Sequence, residues 1–301
     1  MDFVAQERGV GMRRLIALLL VLMVVIPSIS LAASTEPVTI LLLGTDDLGL
    51  FSVTGTEEMS RSDALFVVTL QPATGAIKLL SVERDYLVVL PDDLGENKLS
   101  TSSYFGGPEM AMGAINSLFE LDVSYYAHID ITNVIKAIDI IGGVDVEIDA
   151  DEVDEVNAFI DGILSHENLS NVKAGMNHLN GPEAWAFLGV RNNDIDTVES
   201  NAARNDRQRR VLTACLDKFF QMGSTEAMKL AQEILPLIKT NLTMSNVLSL
   251  ITTALACDFE KISYLRSPHG SYQNKRVNMH KVIVPDDMPA EIQTVKEFLY
   301  Q

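Results

Sequence analysis

Arginine and aspartate recur as near neighbours in this chain: Arg61 with Asp63, Arg84 with Asp85, and Arg204 with Asp206 in a run that continues through Arg207, Gln208, Arg209 and Arg210. Taken singly, such pairs are surface ion pairs worth little. Their positions argue for more. Asp46 follows the apolar run Val38–Leu43 and Gly44, and Asp63 and Arg84 flank the ends of further strand-like runs. Ends of neighbouring strands are where open mixed sheets place ligands. Carboxylate oxygens there suit magnesium, which keeps waters and bridges phosphate oxygens. Arg204 and Gln208 are four residues apart, on a stripe that continues through Val211, Leu212 and Cys215, so both point inward near the start of a long helix. Exposed N–H groups and the helix dipole favour anions there, and guanidiniums add paired phosphate donors. Arg209 and Arg210 read instead as a solvated basic turn. Two carboxylates and several arginines are the equipment of phosphoryl-group chemistry.

Other chemistries lack their residues. The sequence has no Walker loop, no Gly-x-Ser-x-Gly elbow, no His-Glu-x-x-His and no Gly-x-Gly-x-x-Gly. His128, His166, His178, His269 and His280 show no metal-ligand spacing. Cys215 and Cys257 are too few for a disulfide framework or a four-ligand zinc site, and both sit in apolar helical surroundings as small core residues. The acidic stretch Asp145–Glu155 lacks the glycine-centred loop of a calcium site and reads as a solvated strand edge. Acidic residues outnumber basic ones 41 to 23, a net charge of −18, so the surface repels nucleic acid unless the basic residues are concentrated in one place, and no nucleic acid is expected as a partner.

The elements that must carry these residues follow from periodicity. Val38–Leu43, Ala64–Leu70 and Ala76–Val82 read as strands, the last two joined by the turn Gln71–Gly75, and Tyr86–Leu90 continues a meander feeding one sheet. Pro108 opens a helix with Ala111, Ala114, Ile115, Leu118 and Phe119 on one face, and Val134, Ile135, Ile138 and Ile141 mark another. Ser124–Ile129 and Val144–Ile148 are strand-like. A long helix from Asn201, two more over Leu230–Ile238 and Val247–Ala256, and short strands at Lys261–Tyr264 and Lys281–Val284 complete the chain. This order predicts a mixed sheet with helices on both faces.

The 301 residues, 47% of them hydrophobic, suffice for one large domain. Arg13 and Arg14 precede the uncharged run Leu15–Ala33. Residues 1–33 therefore read as a signal peptide or a transmembrane anchor with a short cytoplasmic end, and residues 36–301 as one extracytoplasmic domain.

Seven ordered segments resemble the LytR-CpsA-Psr family of cell-envelope proteins. They are Ile40–Asp46, Arg61–Asp63, Leu80–Asp85, Asn97–Leu99, Gly142–Val146, Leu179–Ala184 and Arg204–Gln208. The resemblance implies an α/β/α sandwich with a mixed central sheet and a hydrophobic lipid pocket. It also implies an enzyme that moves a glycopolymer with its phosphate, such as teichoic acid or capsule, from a polyprenyl-pyrophosphate carrier to peptidoglycan, at the membrane of a Gram-positive bacterium. By the same resemblance Asp46 and Asp63 would hold Mg2+, and Arg61, Arg84, Lys98, Arg191, Arg204, Arg207 and Gln208 would bind the pyrophosphate. Asp63, Arg84 and Asp85 would act at the reacting phosphate, with Asp85 the first choice as proton acceptor.

The chain departs from the family pattern in three places. Gly189 stands where the family has an arginine two residues before Arg191, Asp46 is followed by Asp47-Leu48 where Ser-Arg is common, and the loop Asp47–Ser60 is longer than usual. Two alternatives therefore stay beside the transferase: a pyrophosphatase that releases the glycan to water, and a non-catalytic module that binds glycan or lipid at the wall. A transcription regulator, which the family's name suggests, is opposed by the negative charge and the export segment.

Overall fold

Period-two patterning with both faces apolar makes the central sheet a buried layer. The computed structural model describes residues 36–45, 61–164, 169–190, 198–278 and 280–301. In it β1 (Val38–Thr45) pairs antiparallel with β2 (Ser62–Gln71), and β2 turns at Gln71–Gly75 into β3 (Ala76–Val82). Leu41, Leu43, Leu65, Val67 and Leu80 face one side, and Phe66, Val68, Leu70, Ile77 and Leu79 the other. Each side must be covered by helices.

The meander does not continue into the sheet. β4 (Leu87–Leu90) folds onto β5 (Gly95–Lys98) as a separate hairpin. The cause is local: the chain turns at Glu83–Tyr86, where the Tyr86 N–H bonds the Glu83 carbonyl at 3.3 Å, and Gly95 takes a left-handed φ of 62° that suits a tight return. Next comes α1 (Thr101–Phe119), which starts seven residues before Pro108. Gly106 and Gly107 leave helical geometry, and Pro108 opens the segment whose Ala111, Ala114, Ile115 and Phe119 pack on the sheet.

Beyond β6 (Tyr125–Asp130) lies a second apolar cluster. It is formed by α2 (Ile131–Ile140), β7 (Val144–Ile148), α3 (Val153–Ile163), β8 (Gly175–Leu179) and α4 (Gly181–Gly189). The Asp130 side chain caps α2 by accepting from the Asn133 N–H at 2.8 Å, and Asn180 and Glu183 form a capping box on α4. A Cβ at Gly181 would lie 2.2 Å from the Ile135 carbonyl oxygen, so only glycine lets α4 approach α2 this closely. The acidic stretch read as a strand edge thus contains the start of α3.

The rest of the chain returns to the sheet. It runs through α5 (Val198–Gln221), α6 (Ser224–Ile234), β9 (Lys239–Thr240), α7 (Met244–Leu255) and β10 (Ile262–Ser267). The hairpin β11 (Tyr272–Val277) and β12 (His280–Pro285) and the helix α8 (Met288–Tyr300) follow. Six strands are ordered β10-β3-β2-β1-β6-β9. α1 and α8 cover one face, through Ile115, Phe119, Val295 and Leu299. The other is covered by α5 and α7, through Leu212, Phe220, Leu250 and Ala254. The architecture is an α/β/α sandwich with a mixed sheet. β1 is parallel to β6 and β3 to β10, while β2 opposes both β1 and β3. Hence β1, β3, β6 and β10 end, and β2 begins, along one edge of the sheet.

Two apolar cavities open on the α5 and α7 side. One, of about 210 Å³, lies against Leu42, Val68 and Leu70 of the sheet and Leu216 of α5. The other, of about 260 Å³, lies among α5, α6 and α7, and both share Phe219, Leu250 and Ile251 in their walls.

Candidate active site

The sheet edge where four strands end gathers charge. Asp63, the second residue of β2, is 7% exposed and accepts from Arg84 Nη1 at the end of β3 and from Arg204 Nη2 of α5, the latter at 2.8 Å. Arg84 Nε lies 3.5 Å from Asp85 Oδ1, and Lys98 of β5 lies 3.0 Å from the same oxygen. Among the described residues, three cations, Arg84, Lys98 and Arg204, thus share two carboxylates in one network with side chains 8% to 19% exposed. Charge-assisted bonds of this kind, partly withdrawn from water, favour an incoming anion. One turn along α5 from Arg204, Gln208 Oε1 is buried and meets no donor among the described residues. An acceptor left so costs about 1–3 kcal/mol, which a bound group with a hydroxyl or water hydrogen would recover.

Of the residues singled out in the sequence, Asp63, Arg84, Asp85, Lys98 and Arg204 come together, and Gln208 stands one turn away. Arg61 is exposed immediately before β2. Asp46 and Arg191 lie outside the described residues. Arg207 goes elsewhere: it is 1% exposed, donates to the Val190 carbonyl at 2.7 Å, and lies 3.3 Å from Glu152 Oε1. Burial lowers its pKa against the pull of Glu152. Its geometry is that of a clamp between α5 and the second apolar cluster.

Arg210 also departs from the reading of a solvated turn. Its side chain is 14% exposed and pairs with Glu152 at 2.6 Å and Asp206 at 2.9 Å, because the acidic start of α3 packs against this face of α5. Burial alone would raise the Glu152 pKa, but the hydrogen bond from Arg210 leads a group of donors that holds it below the usual carboxylate value. Arg209 pairs with Asp206 and lies over the Tyr264 ring, 5.0 Å from its centre.

Three residues of this neighbourhood escaped the sequence reading. Glu83, 4% exposed, accepts from Asn205 Nδ2 at 2.7 Å and from Arg266 Nε at 2.9 Å. Burial raises its pKa, with Arg266 the leading opposing influence. No local signal marked it: Glu83 follows Leu80, Ser81 and Val82 directly before Arg84, and its partners come from β10 and α5.

Gly189 owes its identity to packing. A Cβ there would lie 2.9 Å from two carbons of the Phe159 ring, which stands edge-on to Trp185 at 5.5 Å. A longer side chain in this place has no room unless α3 yields.

The donor set can be tested against magnesium. Among the described residues, no group of three or more His, Cys, Asp or Glu stands ready to hold a metal. Magnesium, however, typically takes one or two carboxylates and completes its shell with waters and phosphate oxygens. Asp63, a buried carboxylate at this edge, is a donor of the kind that demand calls for.

The fold is thus an α/β/α sandwich whose mixed sheet gathers two arginines on one aspartate at its carboxyl edge. The sequence profile of the LytR_cpsA_psr family matches residues 23–295, and the chain belongs to that family. It is 28% identical over 216 residues to the polyisoprenyl-teichoic acid–peptidoglycan teichoic acid transferase TagU of Bacillus anthracis, covering 71% of this chain and 64% of the relative. The chain thus spans less than two thirds of that protein's length. Identity to TagU of Bacillus mycoides is 29% over 256 residues, 85% of this chain and 71% of the relative. The fold is similar to the crystal structure of TagV from Bacillus subtilis, with a TM-score of 0.67 and 24% identity over 88% of this chain and 98% of that one. It is similar also to TagT bound to LIIa-WTA, with a TM-score of 0.66 and 21% identity over 88% of this chain and 89% of that one.

Proposed function

We propose that this protein transfers a glycopolymer of the teichoic acid or capsule type, with its phosphate, from a polyprenyl-pyrophosphate carrier to peptidoglycan. The convergence of Arg84 and Arg204 on Asp63 carries the reading. Two guanidiniums fixed a few ångströms apart match the paired phosphates of the donor. The apolar cavities supply the lipid pocket. Val68 is five residues from Asp63 along β2, about 17 Å, and Leu216 is twelve from Arg204 along α5, about 18 Å. Both elements therefore set the same distance from head group to tail, which suits a long prenyl chain.

Magnesium belongs to the same proposal. Asp63, with Asp46, the next residue in sequence after β1, would hold it, and it would supply Lewis-acid neutralisation of the phosphate charge. The protein's own residues do the rest. Arg84 and Arg204 orient the donor and offset the charge that builds on the phosphate oxygens as the phosphoanhydride is attacked by a hydroxyl. Asp85, paired with Lys98, would take that hydroxyl's proton. Polyprenyl phosphate leaves. The reaction belongs at the outer face of the membrane, and the apolar run Leu15–Ala33 supports attachment there. No helix among the described residues is long and apolar enough to cross a membrane, and that run lies outside them.

Gly189 favours a second reading, a module that binds the donor without turning it over, because the Phe159 ring fills the space a further arginine would need. The test is incubation of the full chain with a synthetic polyprenyl-pyrophosphate disaccharide, magnesium and a peptidoglycan oligomer. Glycan phosphate linked to the oligomer supports the transferase. Sugar phosphate released to water makes the protein a pyrophosphatase, and donor bound but unchanged makes it the binding module.

A further inference from the structure

Glu83 lies outside the donor-binding set just described, yet it is among the most buried charged residues of the chain. A buried carboxylate is costly unless it is paired and hydrogen-bonded. This one draws its donors from two elements at once. Its own N–H bonds the Ser267 carbonyl of β10 at 3.0 Å, and its Oε1 accepts from Arg266 of β10 and Asn205 of α5. What matters is which residues stand beside these partners. Glu83 precedes Arg84, Asn205 follows Arg204, and both arginines end on Asp63.

The contacts close a ring. It runs from Asp63 to Arg84, by the chain to Glu83, across to Asn205, by the chain to Arg204, and back to Asp63. Such a ring fixes the spacing of two guanidiniums before any ligand arrives, which is what precise recognition requires. Arg266 completes the arrangement by neutralising Glu83, so that Arg84 stays on Asp63 instead of turning back to the carboxylate next to it.

We infer that Glu83 is a positioning residue, which by holding Asn205 sets the separation of Arg84 and Arg204 to the two phosphates of a pyrophosphate. The inference rests on the proposed pyrophosphate donor. Its signature is selectivity: a fixed pair of arginines distinguishes a prenyl pyrophosphate from a prenyl monophosphate, whereas a loosened pair does so less.

The experiment is calorimetric titration of the full chain in detergent micelles with farnesyl pyrophosphate and, separately, farnesyl phosphate. Wild type, Glu83→Gln, Glu83→Leu, Asn205→Ala and the Glu83→Leu/Asn205→Ala double variant are compared, each with its unfolding midpoint. Wild type is expected to prefer the pyrophosphate. Asn205→Ala and Glu83→Leu each lose about fivefold or more of that preference while affinity for the monophosphate holds within about twofold, and the double variant loses no more than the worse single one. Glu83→Gln, which keeps the acceptor oxygen for Asn205, stays within about twofold of wild type. Should Glu83→Leu not fold, Asn205→Ala and Glu83→Gln decide between them. A wild type that binds neither ligand removes the donor reading and the inference together. A wild type that prefers the pyrophosphate beside an Asn205→Ala variant with undiminished preference overturns the inference alone. Equal losses for both ligands, in step with a lower unfolding midpoint, make Glu83 merely structural and overturn it as well.

Discussion

Arg204 reaches Asp63 across 141 positions of sequence, its Nη2 donating to Oδ2 at 2.8 Å. That bond ties the N-terminal half of α5 to the edge where β1 and β3 end and β2 begins, and it makes Asp63 the centre of the site. Without the carboxylate, the two guanidiniums would lose the anion that draws them together.

Asp63→Asn should therefore separate binding from turnover. Removal of a competing negative charge offsets the loss of the arginines' fixed spacing, so affinity for farnesyl pyrophosphate holds within about threefold. Transfer falls about 100-fold or more, because the carboxylate that would hold magnesium at the reacting phosphate is gone. Calorimetry and a turnover assay on the same preparation check this, and parallel losses in both would show that Asp63 serves only to bind.

Arg207→Met should act on stability and leave donor recognition intact. Arg207 is buried and bonds the Val190 carbonyl and Glu152, and loss of one partner of a buried pair costs about 3 kcal/mol. Urea denaturation gives the magnitude. A selective loss of affinity for farnesyl pyrophosphate at unchanged stability would instead return Arg207 to the binding set.

At Gly189, packing decides. Gly189→Ala puts a methyl group 2.9 Å from the Phe159 ring, an overpacking expected to cost about 1–3 kcal/mol. Phe159→Ala in the same chain should remove most of that extra cost. An additive pair of losses, read from thermal unfolding, would mean that the ring is not the obstacle.

Two glutamates should respond to pH in opposite senses. Burial raises Glu83 above the ordinary value of 4.5, so the folded state binds its proton more tightly than the unfolded one, and stability it confers below 4.5 is lost as pH rises through the folded value. Glu152 is held below 4.5 by Arg210 and its other donors, so its contribution is present above 4.5 and lost as pH falls through the folded value. The unfolding midpoint of Glu83→Gln should thus gain on wild type as pH climbs from 4.5, and that of Glu152→Gln should fall behind wild type as pH climbs toward 4.5 from below. Parallel curves for either variant would contradict the assigned burial or pairing.

Local pattern was enough for the elements with strong period. β1, β2, β3, β6 and the long α5 follow from apolar alternation or a helical stripe, and the Arg204 stripe correctly pointed inward because Val211 beyond it had to reach the core. What pattern could not show were partners supplied from far along the chain. Arg210 resembles a solvated residue until Glu152 packs on it, and Glu83 resembles a surface acid until Asn205 and Arg266 meet it. Tyr86–Leu90 was placed in the main sheet since its composition is strand-like, but composition does not say which neighbour a strand selects. The strand β8 and the helix α8 carry short or interrupted patterns and were missed. Gly189, a departure from the family in the sequence, gained a cause only when the Phe159 ring was seen beside it.

The central claim is that one donor spans the distance from the Asp63 network to the apolar cavities. Photocrosslinking tests it most directly, using the full chain with a long prenyl pyrophosphate that carries a benzophenone at the far end of its tail. The predicted result is label on peptides containing Phe219, Leu250 or Ile251, the walls common to both cavities, displaced by unlabelled prenyl pyrophosphate and diminished in Arg204→Ala. Label spread over the surface, or label that inorganic pyrophosphate and Arg204→Ala leave unchanged, would contradict it.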